Sequence, residues 1–137
     1  MSNKLKIALL QISSFKTDQK GNLFKGEEYC RKAEKEGADI ILFPEMWNIG
    51  YESFDESVFE SSFDPKNIPE SILKKAEIWK SNAIDPDSEF IKHFKDLALE
   101  LNTAIAITFL QKGKTGPRNS VALIDRHGEI VLNYSKV

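Results

Sequence analysis

The strongest constraint on the fold is a pattern near the start of the chain: an apolar run, an amphipathic stretch of helical period, then a second apolar run. Residues 5–12 are β-rich and apolar and read as a first strand, mostly buried. Residues 22–37 read as a helix. Leu23, Gly26, Cys30 and Ala33 recur at spacings of three and four, while Glu27, Arg31 and Lys35 point away. Gly37 ends it, because glycine tolerates the left-handed conformation at a helix end. Residues 38–43 follow at once as an isoleucine-rich strand. Strand, helix and strand in so short a span imply a βαβ unit and a buried sheet, hence the α/β class.

The rest of the chain extends this plan. Residues 51–87 are less regular and hold Pro65, Pro69 and Pro86, with a helix predicted over 69–80, proline suiting a first helical turn. An excursion this long is a functional segment or an insertion. Residues 88–101 form the clearest helix, with Phe90, Phe94, Leu97, Ala98 and Leu101 as its apolar stripe and Asp87 or Ser88 as its cap. Strands are predicted over 103–110, 120–125 and 130–134, the last two joined as a hairpin around Arg126-His127-Gly128-Glu129. No repeat or composition shift divides residues 1–137, so one domain is expected.

Composition narrows the partners. The chain is 41% hydrophobic and 29% charged with a formal net charge of −2, an ordinary globular balance. Lys32-Ala33-Glu34-Lys35-Glu36 alternates sign as a solvated helix face does, and no basic block points to nucleic acid or an anionic membrane. One cysteine, Cys30, excludes an intramolecular disulfide. Lys4 and Lys6 precede only Ile7-Ala8-Leu9-Leu10, too short for a signal-peptide core, and no segment has transmembrane length. A cytoplasmic protein is expected.

Chemistry concentrates at Phe43-Pro44-Glu45. A strand of a parallel sheet ends there, and ligand sites of α/β folds lie at the carboxyl ends of strands. Pro44 removes a backbone donor and restricts Phe43, fixing where the strand stops. Glu45 follows beside Met46, Trp47 and Tyr51. A carboxylate among aromatic rings tends toward a raised pKa, as a general base needs. On these residues alone Glu45 also fits a surface glutamate in a loop, with Trp47 covering the core edge. Lys136, at the end of the last apparent strand, fits a solvated edge lysine. His93 falls on the outer side of its helix and His127 in a turn. No spacing suggests a metal site, a phosphate loop or a nucleophilic serine elbow, and no cofactor is expected. Cys30, between Gly26 and Ala33, reads as a small packing residue.

Several stretches resemble one known family. Lys6-Ile7-Ala8-Leu9-Leu10-Gln11 is similar to the opening strand of the nitrilase superfamily of carbon–nitrogen hydrolases. Gly37-Ala38-Asp39-Ile40-Ile41-Leu42-Phe43-Pro44-Glu45 resembles its first signature, and Met46-Trp47-Asn48-Ile49-Gly50-Tyr51 continues as in amidase-like members. The stretch from Arg118-Asn119-Ser120 through Gly128-Glu129-Ile130-Val131 into Tyr134-Ser135-Lys136-Val137 resembles the signature ending in the catalytic lysine. Two signatures in the right order, separated by a helix and a strand, are more specific than either alone. Residues 52–87 match poorly.

The resemblance implies an α-β-β-α sandwich, of which this chain supplies part: a mixed sheet with helices on the outside. It implies a Glu-Lys-Cys triad acting on a small amide or nitrile, with Glu45 as base and Lys136 as oxyanion stabiliser. Trp47 and Tyr51 would shape the pocket. Gln111 stands where many members carry a glutamate that supports the lysine. The cysteine nucleophile of the family follows the lysine, and this chain ends one residue after Lys136. The expectations are therefore an N-terminal part without turnover of its own, Glu45 near the segment carrying Lys136, and apolar sheet surface left bare. A homo-oligomer or a complementary C-terminal fragment would cover that surface. The alternatives are a non-catalytic binding or assembly module, and an unrelated small α/β domain.

Overall fold

The computed structural model describes residues 4–51, 64 and 66–136. Among these residues eight elements follow in the order β1 (Ile7–Leu9), α1 (Gln19–Lys35), β2 (Ile40–Leu42), α2 (Glu70–Ser81), α3 (Glu89–Leu101), β3 (Ala104–Gln111), β4 (Arg118–Ile124) and β5 (Ile130–Ser135). Part of the irregular excursion, Pro65 included, lies outside the described residues. The strands form one sheet in sequence order. β1, β2 and β3 are parallel, as the βαβ pattern predicts, and β4 and β5 are added antiparallel through the expected hairpin.

Caps explain where the helices begin and end. Asp18 accepts from Gly21 N at 2.9 Å and starts α1 three residues before the predicted Asn22. Asn22 then lies inside the helix and is fully buried. Its side-chain amide donates to the carbonyls of Lys16 and Asn48, at 2.7 and 2.8 Å. A polar residue is tolerated in the core because its hydrogen bonds are made there. Gly37 follows α1 at φ +77°, the left-handed conformation its residue type predicts. Ser88 caps α3, and Pro69 immediately precedes α2.

α1 and α3 cover one face of the sheet. Cys30 and Ala33 of α1, with Phe90, Ile91, Phe94, Leu97 and Ala98 of α3, pack on Ile41, Ile105, Ile107, Phe109, Ala122 and Ile124. Phe94 is fully buried and meets Phe43 edge-on at 5.3 Å between ring centroids. A smaller cluster of Met46, Ile49, Ala83 and Leu110 lies across β3, with Trp79 of α2 against it.

The opposite face carries apolar side chains with less cover. Ile7 and Leu9 are 51% and 62% exposed, Leu132 and Tyr134 53% and 54%. This corrects the expectation that the first strand is mostly buried. Strand residues alternate between faces, so only Ala8 of β1 turns toward the helices, and β1 is also an edge strand. None of the described helices is long and apolar enough to cross a membrane.

Candidate active site

Topology brings the ends of β2 and β5 to one side of the sheet. β4 reverses direction and β5 reverses it again, so β5 runs parallel to β2 and both finish at the same edge. Three strand spacings still separate them, roughly 14 Å. The turn after β2 closes that gap. Thr108, in the middle of β3, donates from its hydroxyl to the carbonyl of Pro44 and accepts from Trp47 N at 3.1 Å. Asn48 Oδ1 accepts from Leu110 N at 2.9 Å. The turn is thereby fastened across β3. Met46 is held in it at φ +58°, unusual for a long side chain, with its own side chain fully buried.

Fastened this way, the turn presents Glu45 to the end of β5. Lys136 Nζ donates to Glu45 Oε1 at 3.2 Å. Tyr51 Oη donates to Glu45 Oε2 at 2.7 Å, and Asn119 Nδ2 donates to Tyr51 Oη at 3.0 Å. Each carboxylate oxygen thus receives one donor. Glu45, Lys136 and Asn119 border a cleft of about 490 Å³, with Leu42, Thr108 and Tyr134 among its walls, whereas Tyr51 is not one of its lining residues.

The electrostatics differ from the expected raised pKa. The Tyr51 hydroxyl and then the Lys136 ammonium hold the Glu45 carboxyl below its ordinary range, with a smaller contribution from Asn119. The Glu45 side chain is 53% exposed, so the burial that would favour its neutral form is weak. Tyr51 is shifted oppositely, up to about 12. Crowding of its hydroxyl comes first and the adjacent Glu45 second, although the residue as a whole is 56% exposed.

Other singled-out residues lie elsewhere. Trp47 does not line the cleft. It is 1% exposed, packs on Phe43 at 5.4 Å, and donates from Nε1 to the carbonyl of Asn22 at 3.0 Å. It anchors the turn from the helix side. Gln111 has the strand parity of Phe109, on the side opposite Thr108 and the cleft, and makes no described hydrogen bond to Lys136. Its Oε1 is buried without a partner among the described residues. His93 of α3 is not on the outer side but bridges to Glu27 of α1 at 2.8 Å, partly buried between the two helices. His127 sits in the β4–β5 turn, at the opposite end of β5 from Lys136. Cys30 is fully buried, and burial pushes its thiol up to about 12. Among the described residues no group of three or more candidate ligands could hold a metal ion.

The carbon–nitrogen hydrolase family model matches residues 6–137, nearly the whole chain. The chain belongs to the carbon–nitrogen hydrolase family. Among its relatives, the citrullinase of Francisella tularensis is 30% identical over 132 residues, 96% of this chain and 40% of that protein. An aliphatic nitrilase of Rhodococcus rhodochrous is 24% identical over 99% of this chain and 33% of its own length. The crystal structure of an amidase from Nesterenkonia sp. shares the fold with a TM-score of 0.62 and 21% identity, over 97% of this chain and 43% of that one. The chain spans a third to less than half of these relatives. Family membership sets aside the unrelated α/β domain.

Sequence reasoning singled out Glu45 and Lys136, which the structure brings together, but not Thr108 and Asn119, which lie beside them in this carbon–nitrogen hydrolase chain. Both left a signal. Thr108 is the one polar residue inside the apolar stretch Ile105-Ala106-Ile107-Thr108-Phe109-Leu110. Asn119 has the strand parity of Val121, whose cross-strand partner is Tyr134.

Proposed function

We propose that residues 1–137 are the N-terminal part of a hydrolase domain that cleaves carbon–nitrogen bonds of small amides or nitriles. Glu45 would be its general base and Lys136 its oxyanion stabiliser. The observation that carries this reading is the 3.2 Å contact between Lys136 and Glu45, residues 91 positions apart. A cysteine outside this stretch would complete the site. Its thiol proton passes to Glu45 as sulfur attacks the substrate carbon. In an amide, the tetrahedral intermediate places negative charge on oxygen, which the Lys136 ammonium stabilises. Collapse breaks the carbon–nitrogen bond, and the departing nitrogen takes the proton from Glu45. Water, deprotonated by Glu45, then cleaves the thioester and returns the thiol.

An ionised Glu45 suits the first step, since a base must begin without its proton. Amide chemistry draws support from the relatives. One variant of the Nesterenkonia amidase is in complex with butyramide, and another carries the acetamide moiety of fluoroacetamide added covalently at its active site cysteine. Buried Cys30 suits packing, so the isolated chain should not turn over substrate. The bare apolar face of the sheet favours a second role within the same reading: association, with another copy or with a fragment carrying the cysteine. It equally supports a non-catalytic assembly module. A cytoplasmic location is part of this proposal.

The test is ammonia release from a panel of small amides and nitriles. The chain alone should be silent. Turnover lost in Cys30→Ser would place the nucleophile in α1 and overturn the assignment.

A further inference from the structure

Asn119 touches both halves of the Glu45–Lys136 pair. Its backbone carbonyl accepts from Lys136 N at 2.8 Å, holding the end of β5. Its side-chain amide donates to Tyr51 Oη, which donates to Glu45 Oε2. The geometry points to Asn119 as a positioning residue that aims the Tyr51 hydroxyl proton at Glu45.

The argument rests on counting donors. A phenol has one proton to give, and an amide nitrogen can only donate. With Asn119 Nδ2 at 3.0 Å, one side of Tyr51 Oη is occupied as an acceptor. Its proton is left for Glu45 Oε2 at 2.7 Å. Tyr51 needs this restraint because the residue is more than half exposed and can otherwise turn toward water. Asn119 is better fixed: it lies in β4, opposite Leu110, whose N–H is bonded to the Glu45 turn through Asn48. One residue thus sets Lys136 through its backbone and Glu45 through Tyr51. This deepens the reading of Glu45 as a base and rests on it for its catalytic meaning. The hydrogen-bond relay itself stands apart from any turnover.

The experiment is a pH titration of the Glu45 carboxyl carbon by NMR in this chain, with Glu45→Gln assigning the signal. Asn119→Ala should move the Glu45 midpoint upward, and Tyr51→Phe should move it upward at least as far. The double variant should exceed Tyr51→Phe alone only by the small direct contribution of Asn119 to the carboxylate, because Asn119 acts mainly through the hydroxyl. Asn119→Ser, too short to reach Tyr51, should repeat the shift should the alanine variant fold poorly. The Lys136 amide signal reports whether the β4–β5 edge stays intact. An unmoved midpoint in Asn119→Ala overturns the proposal. So does a downward shift, which would mean that Asn119 presents its oxygen to Tyr51 and competes with Glu45. A full Asn119 effect in the Tyr51→Phe background would show direct action on the carboxylate and also overturn it. Failure of the hydrolase reading would appear separately, as absent turnover in a longer polypeptide that includes a cysteine, with this relay intact.

Discussion

Lys136 Nζ meets Glu45 Oε1 at 3.2 Å although β3 and β4 lie between the strands that lead to them. The contact exists because Thr108 and Leu110 of β3 tie down the turn that carries Glu45. The Tyr51 hydrogen bond is the largest single cause lowering the Glu45 pKa, and Lys136 lowers it through both a hydrogen bond and its charge. Tyr51→Phe and Lys136→Met should each raise the Glu45 midpoint. Because the folded carboxyl titrates below its ordinary 4.5, the pair's small contribution to stability is present above that value. It fades as pH falls through the lowered folded midpoint. Both side chains are more than half exposed, so the effect is small and molar salt should weaken it. Carboxyl titration at low and high salt checks both statements.

Gly26→Ala should destabilise the chain despite the better helix propensity of alanine. A Cβ there would lie 2.8 Å from Trp47 Nε1, 2.9 Å from Phe94 Cζ and 3.0 Å from Phe43 Cε1. These are rigid rings packed in the core. The propensity gain is about 1 kcal/mol, whereas overpacking costs roughly 1–3 kcal/mol. The clash should win. Denaturant unfolding of the two proteins gives the sign directly.

Much of this was legible in the sequence, for definable reasons. The period of Phe90, Phe94, Leu97 and Ala98 located the core face of α3, and Gly37 marked the end of α1. Glu45 and Lys136 were singled out by strand ends and by resemblance. Side-chain surroundings were not legible. A carboxylate beside aromatic residues in sequence suggested burial, yet Trp47 turns into the core and Tyr51 reaches back through its polar hydroxyl. The Ile7 and Leu9 side chains looked like core from their type alone. Their exposure depends on what covers the second face of the sheet, which local pattern cannot encode.

Cys30 should resist thiol reagents in the folded chain. It is fully buried, and its thiol is held mostly protonated at neutral pH by a pKa pushed up to about 12. Labelling should proceed at the rate of opening and become fast in denaturant. Rapid labelling of the native chain would contradict the packing of α1 against α3.

The bare sheet face should govern solution behaviour. Ile7, Leu9, Leu132 and Tyr134 expose enough apolar surface to favour self-association or capture of a complementary fragment. Leu132→Thr should reduce association in a sedimentation series while changing stability little, since Leu132 is half exposed. Phe94→Ala, by contrast, should cost about 3–5 kcal/mol. A chain that stays monomeric at every concentration and melts sharply at high temperature would show that these residues complete their own core.

Ammonia release from small amides tests the central claim most directly, comparing this chain with the polypeptide obtained when the coding sequence is read on past Val137 to include a cysteine. The account predicts silence from residues 1–137 alone. It predicts turnover from the longer polypeptide that is abolished by Glu45→Gln and severely reduced by Lys136→Ala. Turnover by the short chain, or a longer enzyme indifferent to Glu45→Gln, would contradict it.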